Sequence, residues 1–315
     1  MSFLYRQRRK FFYLLLFLFL ALNFVAYNHA YQLTHFTPTA GAKKVNPYTL
    51  SFGQKVKALL LGIPNPRPEN ASVPQVPYEE VKLTGDKELA GWLLPVPQPR
   101  GTIILFHGYA GEKSGMLDKA AEFNKLGYTA FLVDFMGSGG STGNQTTIGF
   151  HEAAQVNTCW QYIRQRQGGK IYLFGTSMGA VAILKALQHT AQPPTGIILE
   201  CPFGSMYETV CVRFRLLHIP AFPFAGLLLF WGSVQNNFWA FAHNPSTYAQ
   251  NVNCPVLLLY GAQDPKVSRA EINRIYQNLP GPKQLCIYPK AGHENYLTKY
   301  RPEWVRDVSA FLYRH

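Results

Sequence analysis

Five short runs of almost unbroken apolar residues recur along this chain: GTIILFHG (101–108), YTAFLVDF (128–135), KIYLFGT (170–176), TGIILEC (195–201) and CPVLLLYG (254–261). Runs of this length without alternation suit strands buried on both faces of a parallel sheet. Stretches with helical periodicity separate them: MLDKAAEFNKLG, HEAAQVNTCWQYIRQRQ, MGAVAILKALQHTA and RAEINRIYQNLP, with EWVRDVSAFLYRH closing the chain. Ahead of the first run, YEEVKLT and LAGWLLPV alternate polar and apolar residues, the pattern of a half-exposed antiparallel pair. The expected class is α/β, a mostly parallel sheet with helices on both faces. Right-handed crossovers then bring the loops after the parallel strands to one edge. Chemistry is expected there.

Composition supports a large core. Of 315 residues, 47% are hydrophobic and 15% charged, which excludes disorder for most of the chain. The net charge of +13 comes from 30 Lys and Arg against 17 Asp and Glu. These cations are scattered and form no basic helix or zinc pattern, so nucleic acid is not an expected partner; an anionic membrane surface is. Five cysteines stand singly without a C-x-x-C pair, which excludes a zinc ribbon or a dense disulfide framework. They read as small buried hydrophobes, and whether Cys201 pairs with Cys211 stays open.

Residues 11–27, FFYLLLFLFLALNFVAY, carry no charge and follow RQRRK. The stretch is short for a membrane helix and long for a signal-peptide core. The nearest cleavage candidate, Asn28-His29-Ala30, puts Asn where a small residue is preferred. Residues 1–30 are therefore expected to be a basic cytosolic tail and an uncleaved anchor rather than a signal peptide. The basic residues on its N-terminal side place the rest of the chain outside the cytosol. Residues 31–77 read as a stalk. It holds a short helical patch at GQKVKALLLG, and Pro64, Pro66, Pro68, Pro74 and Pro77 favour an extended spacer. The folded domain is expected to start near Tyr78.

In YLFGTSMGAVA (172–182), Gly175 and Gly179 bracket Ser177 in a G-x-S-x-G frame between an expected strand and helix. A serine hydroxyl becomes a useful nucleophile when a base accepts its proton and an acid orients that base. Asp264 directly follows VLLLYGAQ, and His293 lies in AGHENY just beyond the last strand-like segment, KQLCIYP. Serine, acid and base thus follow one another in the order Ser177, Asp264, His293.

With LFHGYAG, VDFMGSGGS, GTSMGA, LLYGAQDPKV and AGHENY in order, residues 78–315 resemble the α/β-hydrolases, in particular the serine aminopeptidase-like and lysophospholipase-like group. The resemblance implies that the FHGYAG loop supplies an oxyanion hole, with backbone N–H donors from Tyr109 and Met178. It implies that His107 shapes this loop without transferring protons. Glu200, at the end of the preceding strand, is the rival acid, since some of these enzymes place theirs there. The chain departs from relatives at Asp134-Phe135-Met136-Gly137, where they often carry Arg in place of Met136.

More than 50 residues separate Cys201 from Pro255, and the stretch 218–242 has no Lys, Arg, Asp or Glu. Pro220, Pro223 and the polar SVQNN leave too short an apolar core for a second membrane span. A helical lid over about 203–243 is expected, with Phe230, Trp231, Phe238 and Trp239 as candidate pocket walls for an apolar acyl group. No phosphate-binding glycine loop or metal-ligand cluster appears, so no cofactor and no metal is implied. The expected function is a serine hydrolase acting on carboxylic esters, lipid esters among them. A thioesterase or peptidase with the same triad, or a catalytically silent ligand-binding protein, stays open.

Overall fold

The computed structural model describes residues 2–38, 50–85, 87–166, 168–190 and 192–315. Between Met1 and Pro38 the sequence contains neither Gly nor Pro, and one helix, α1 (Ser2–Thr34), runs through both the basic and the apolar residues. Its apolar stretch is exposed, and residues 5–34 are long and apolar enough to cross a membrane by length and composition. After it come β1 (Phe36–Thr37), α2 (Phe52–Leu61) and β2 (Asn65–Pro66), with β2 pairing parallel to β1. Ser51 and Gln54 cap α2 reciprocally, and Gly62 ends it at φ 75°.

The main sheet has eight strands: β3 (Glu79–Leu83), β4 (Leu89–Leu94), β5 (Thr102–Phe106), β6 (Thr129–Val133), β7 (Ile171–Thr176), β8 (Gly196–Glu200), β9 (Val256–Gly261) and β10 (Lys283–Tyr288). Their spatial order is β10-β9-β8-β7-β5-β6-β4-β3. The β3–β4 and β4–β6 pairs are antiparallel and all the others parallel. Each of the five apolar runs contains one strand, and every residue of β5, β6, β8 and β9 is buried.

The helices are α3 (Leu117–Lys125), α4 (Glu152–Arg166), α5 (Met178–Ala186), α6 (Met206–Leu216), α7 (Phe224–Asn236), α8 (Pro245–Tyr248), α9 (Arg269–Asn278), α10 (Tyr296–Lys299) and α11 (Arg301–Arg314). Strand side chains alternate between two cores. Ile104, Leu173, Leu199 and Leu258 pack with Trp160 of α4, Val181 of α5 and Ile272 of α9 on one face. Ile103, Phe174, Ile198 and Leu259 pack with Phe123 of α3 and Trp304 of α11 on the other. The chain leaves β5 for β6 on one side, then returns to β7 on the other. The loops after β5 and β7 therefore meet where the strand order reverses, the usual place for a site in such a sheet.

The segment around residues 64–68 is extended at β2, and it lies against the domain. Extended backbone has unpaired polar groups, and the loop after β6 satisfies them. Gly139 donates to the Pro68 carbonyl at 2.8 Å, and Arg67 donates to the carbonyls of Gly139, Ser141 and Gly143. Phe36 N–H donates to the Asn144 carbonyl at 2.7 Å. Residues 39–49 of the expected stalk lie outside the described residues.

Candidate active site

Ser177 sits between the end of β7 and the start of α5 with φ 51° and ψ −110°, a conformation costly for a residue with a Cβ. Its N–H donates to the Glu200 carbonyl at 2.7 Å, and its carbonyl accepts from Val181 at 3.1 Å. The flanking glycines are dictated by backbone contact. A Cβ on Gly175 would lie 2.5 Å from the Ala180 nitrogen, and one on Gly179 would lie 2.3 Å from the Phe106 carbonyl oxygen. Only hydrogen fits at either position.

Asp264 lies in the turn after β9, its side chain wholly buried. Oδ1 accepts from the N–H groups of Lys266 (2.7 Å) and Val267 (3.1 Å), which leaves Oδ2 to accept from His293 Nδ1 at 2.7 Å. The His293 loop packs tightly on the strand end: a Cβ on Gly261 would lie 2.6 Å from the carbonyl oxygens of Ala291 and Gly292. His293 Nε2 makes no hydrogen bond to Ser177 Oγ here, and such contacts often tighten only when substrate binds. Cys201 Sγ lies within 4.8 Å of the Asp264 and His293 donor atoms. Burial pushes its thiol well above the ordinary range.

The rival acid is engaged elsewhere. Glu200 is fully buried, and its Oε1 accepts from Trp304 Nε1 at 2.7 Å and Oε2 from Thr176 Oγ1 at 3.0 Å, with Lys119 Nζ 3.6 Å away.

Tyr109, after β5, and Met178, at the start of α5, keep their backbone N–H groups free of any acceptor among the described residues. His107 shapes this loop: Nδ1–H donates to the Gly108 carbonyl at 2.8 Å, and Nε2 accepts from Phe135 N–H at 3.0 Å. That pairing assigns the tautomer. Burial, opposed by Asp134 and the Gly108 bond, lowers the His107 pKa. Burial also pushes the Tyr109 phenol up to about 12, against Arg213 and the Asn65 bond. Its hydroxyl donates to the Leu33 carbonyl at 2.7 Å and accepts from Asn65 Nδ2 at 2.8 Å.

At the departure in the loop after β6, Met136 is buried and its N–H donates to Gln155 Oε1 at 2.9 Å. Guanidinium bonds reach this loop from Arg67, whose partners were named above. Asp134 pins the neighbouring turn by accepting from Lys113, Asn70 and Gly140. Burial opposes its ionisation, but Lys113, His107 and these bonds outweigh it and hold the carboxyl below its usual range. No local pattern marks Arg67 or Asn70 as partners of a loop some 70 residues away. Sequence reasoning passed over both.

The expected insertion is helical, with α6 and α7 between β8 and β9, and its four aromatic residues part company. Phe238 packs against Phe150, His151 and His243 and lines a small cavity beside the β5 loop. Trp231 does not face that cavity. Its indole meets Tyr27 edge-on, with ring centroids 5.3 Å apart, and donates to Asn23 Oδ1 at 3.0 Å. Phe230 and Trp239 are 42% and 57% exposed. One side of α7 lies on the domain and α1 covers part of another, so its aromatic residues cannot all point at the site. A second cavity of about 210 Å³ borders both His293 and the β5 loop at His107, Gly108 and Gly111, with Glu112, Lys119, Glu294 and Asn295 among its otherwise largely apolar walls.

An eight-stranded, mostly parallel sheet with a strained Ser at the end of β7 defines the α/β-hydrolase fold. Over residues 97–245 the chain matches the model of the serine aminopeptidase S33 family. The match spans Ser177, Tyr109 and Met178 and stops before Asp264 and His293. The chain is similar to the uncharacterised protein YqkD of Bacillus subtilis, 27% identical over 71% of this chain and 75% of that one. It is also similar to the caffeoylshikimate esterase of Arabidopsis thaliana, 32% identical over 33% of each chain. The solved structure of the Pyrococcus furiosus esterase Pf2001 superposes with a TM-score of 0.66 at 21% identity, covering 79% of this chain and 98% of that one.

Proposed function

We propose that this protein is a serine hydrolase that cleaves carboxylic esters, lipid-like ones among them, through an acyl-enzyme on Ser177. The observation that carries the reading is the 2.7 Å bond from His293 to a buried, turn-fixed Asp264, on the sheet edge where Ser177 is strained. In the proposed cycle His293 Nε2 takes the hydroxyl proton as Ser177 Oγ attacks the ester carbonyl. The N–H groups of Tyr109 and Met178 receive the developing negative oxygen. His293 then gives the proton to the departing alcohol, and water repeats the sequence to release the acid. The cavity between His293 and the oxyanion loop, with Glu112, Lys119, Glu294 and Asn295 in its walls, suits a polar alcohol, and the apolar cavity bordered by Leu33 and Phe238 suits an apolar acyl group. The esterase names among the similar proteins agree with this chemistry.

A fluorophosphonate probe should label the full-length wild type and spare Ser177→Ala; equal labelling of the two would overturn the assignment. Thioester or peptide cleavage uses the same triad. A panel of p-nitrophenyl esters, acyl thioesters and aminoacyl p-nitroanilides separates these from ester hydrolysis.

We further propose that α1 is an uncleaved anchor with the catalytic domain on the non-cytosolic side. Ala30, the nearest cleavage candidate, is 2% exposed and lies inside a continuous helix, where a peptidase has no extended substrate. A mature chain that begins near residue 31 in a soluble fraction would overturn this.

A further inference from the structure

The last turns of α1 do more than run up to the domain. An apolar cavity of about 50 Å³ lies beside the β5 loop, with Ala30 and Leu33 of α1 in one wall and Met206, Leu229 and Phe238 of the insertion in another. Ile148, from the loop before α4, closes a third side. Both candidate oxyanion donors adjoin these walls. The Leu33 carbonyl accepts from the Tyr109 hydroxyl at 2.7 Å. The Ile148 loop touches Met178: Thr146 Oγ1 lies 3.4 Å from its sulfur, and a Cβ on Gly149 would come within 3.1 Å of its carbonyl oxygen. Ile148 itself has φ 56°, rare for a β-branched residue, and its carbonyl is bonded to His243 Nε2 at 3.1 Å. Strain of this kind persists where the surroundings enforce it and clusters at ligand sites.

An apolar surface lies farther along α1 and α7. Trp231 bonds to Asn23, and four residues later Gln235 Nε2 donates to the Tyr27 carbonyl at 2.9 Å, so α7 and α1 run side by side in the same direction. Equal rise per residue sets Phe224 level with about residue 16 of α1, inside its uncharged stretch. Leu217, Ile219 and Phe222, ahead of α7, are exposed, Phe222 to 83%.

We propose that the end of α1 is a wall of the acyl pocket, and that the pocket takes the alkyl chain of a membrane lipid ester directly from the bilayer alongside α1 and α7. The inference rests on the esterase reading above. An alkyl chain that passes from hydrocarbon into this cavity never meets water, so the step carries no hydrophobic penalty. The anchor is then part of substrate selection as well as of location.

The full-length protein in detergent tests the wall with p-nitrophenyl esters from C2 to C12. Ala30→Phe fills the cavity, and the octanoate-to-acetate ratio of kcat/KM should fall about ten-fold, the effect of one or two methylenes left unburied. Leu33→Ala enlarges it and should move the preferred acyl chain longer by about two carbons. Phe24→Ala, on the exposed side of α1, should leave the ratio unchanged. If the wild type is not labelled by fluorophosphonate, the esterase reading fails. If every variant is labelled while ratio and optimum stay at wild-type values, the role of α1 is overturned and the esterase reading stands. For the membrane route, the protein is reconstituted in phosphatidylcholine vesicles with p-nitrophenyl hexadecanoate. Hydrolysis should be at least about ten-fold faster with the ester in the same vesicles than in separate ones; equal rates would overturn direct uptake.

Discussion

The Tyr109 hydroxyl donates to the Leu33 carbonyl across 2.7 Å, tying the loop after β5 to the last turn of a helix that starts at the N-terminus. The residue whose backbone N–H faces the proposed oxyanion thus anchors the candidate membrane helix with its side chain. Position of the helix and geometry of the site are mechanically linked.

Tyr109→Phe keeps the ring and both proposed oxyanion donors but leaves the Leu33 carbonyl and Asn65 amide without the hydroxyl. Losing such a bond costs about 1–2 kcal/mol. The expected result is a lower melting temperature together with a several-fold lower kcat/KM on esters. Melting curves and steady-state rates on the same preparations check both; wild-type values in each would show that the tie is idle.

The two buried carboxylates should separate cleanly. Asp264→Asn presents the wrong partner to His293 Nδ1 and should lower kcat by about 10⁴. Glu200→Gln disturbs the bonds from Trp304 and Thr176, neither of which involves the imidazole. It should lower the melting temperature and leave kcat within about ten-fold of wild type. A crippling Glu200→Gln beside a mild Asp264→Asn would reverse the assignment of the acid.

Acid should weaken the fold through His243. Burial above all, with Lys185 and His151 nearby, lowers its pKa to about 4, although the bond to the Ile148 carbonyl opposes the shift. Between pH 6.5 and 4 the unfolded chain binds a proton at this site that the native chain refuses. Stability therefore rises with pH through that window, by up to about 3 kcal/mol. Urea unfolding at pH 7 and pH 5 should give a smaller difference for His243→Gln than for wild type.

Gly179→Ala drives a methyl group into the carbonyl of Phe106 at a distance no relaxed contact allows. Because the obstacle is backbone, the elbow itself must shift. The variant should lose fluorophosphonate labelling even if a folded fraction is recovered by gel filtration, whereas Gly226→Ala, in open space on α7, should label normally.

Trp231 and Phe238 should behave differently although both belong to the insertion. Trp231→Ala removes the ring stacked edge-on against Tyr27 and the bond to Asn23, and is expected to lower the melting temperature by several degrees. Phe238→Ala opens the cavity beside Ile148 and should flatten the dependence of kcat/KM on acyl length. A Trp231→Ala variant that flattens this slope at unchanged stability would put the indole in the pocket after all.

The repeating elements were written locally. A run such as PVLLLY has one good solution, a strand covered on both faces, and each of the five runs holds one. Helix α9 announces its start through Ser268 and Glu271, which cap it reciprocally. The crowding that admits only Gly at 175 is equally local, since the obstructing atoms are those of Gly179 and Ala180 in the same strand-turn-helix, whereas at 179 they belong to Phe106 and His107 at the end of β5. Order along the chain then sufficed to nominate Ser177, Asp264 and His293, because parallel strands with helical crossovers send their following loops to a common edge.

The N-terminal 77 residues obey a different logic. Their own sequence determines a long helix without Gly or Pro and a proline-held extended segment. Where these lie depends on partners up to 208 residues away: Asn23 on Trp231, Leu33 on Tyr109, Arg67 and Asn70 on the loop after β6. Periodicity reports which side of an element is apolar, and for α7 more than one side is. It carries no information on which side meets the domain and which meets another helix. That choice was made by the folded surface, where the side-chain donors of Trp231, Gln235 and Tyr109 stood at the right distance to meet acceptors on α1.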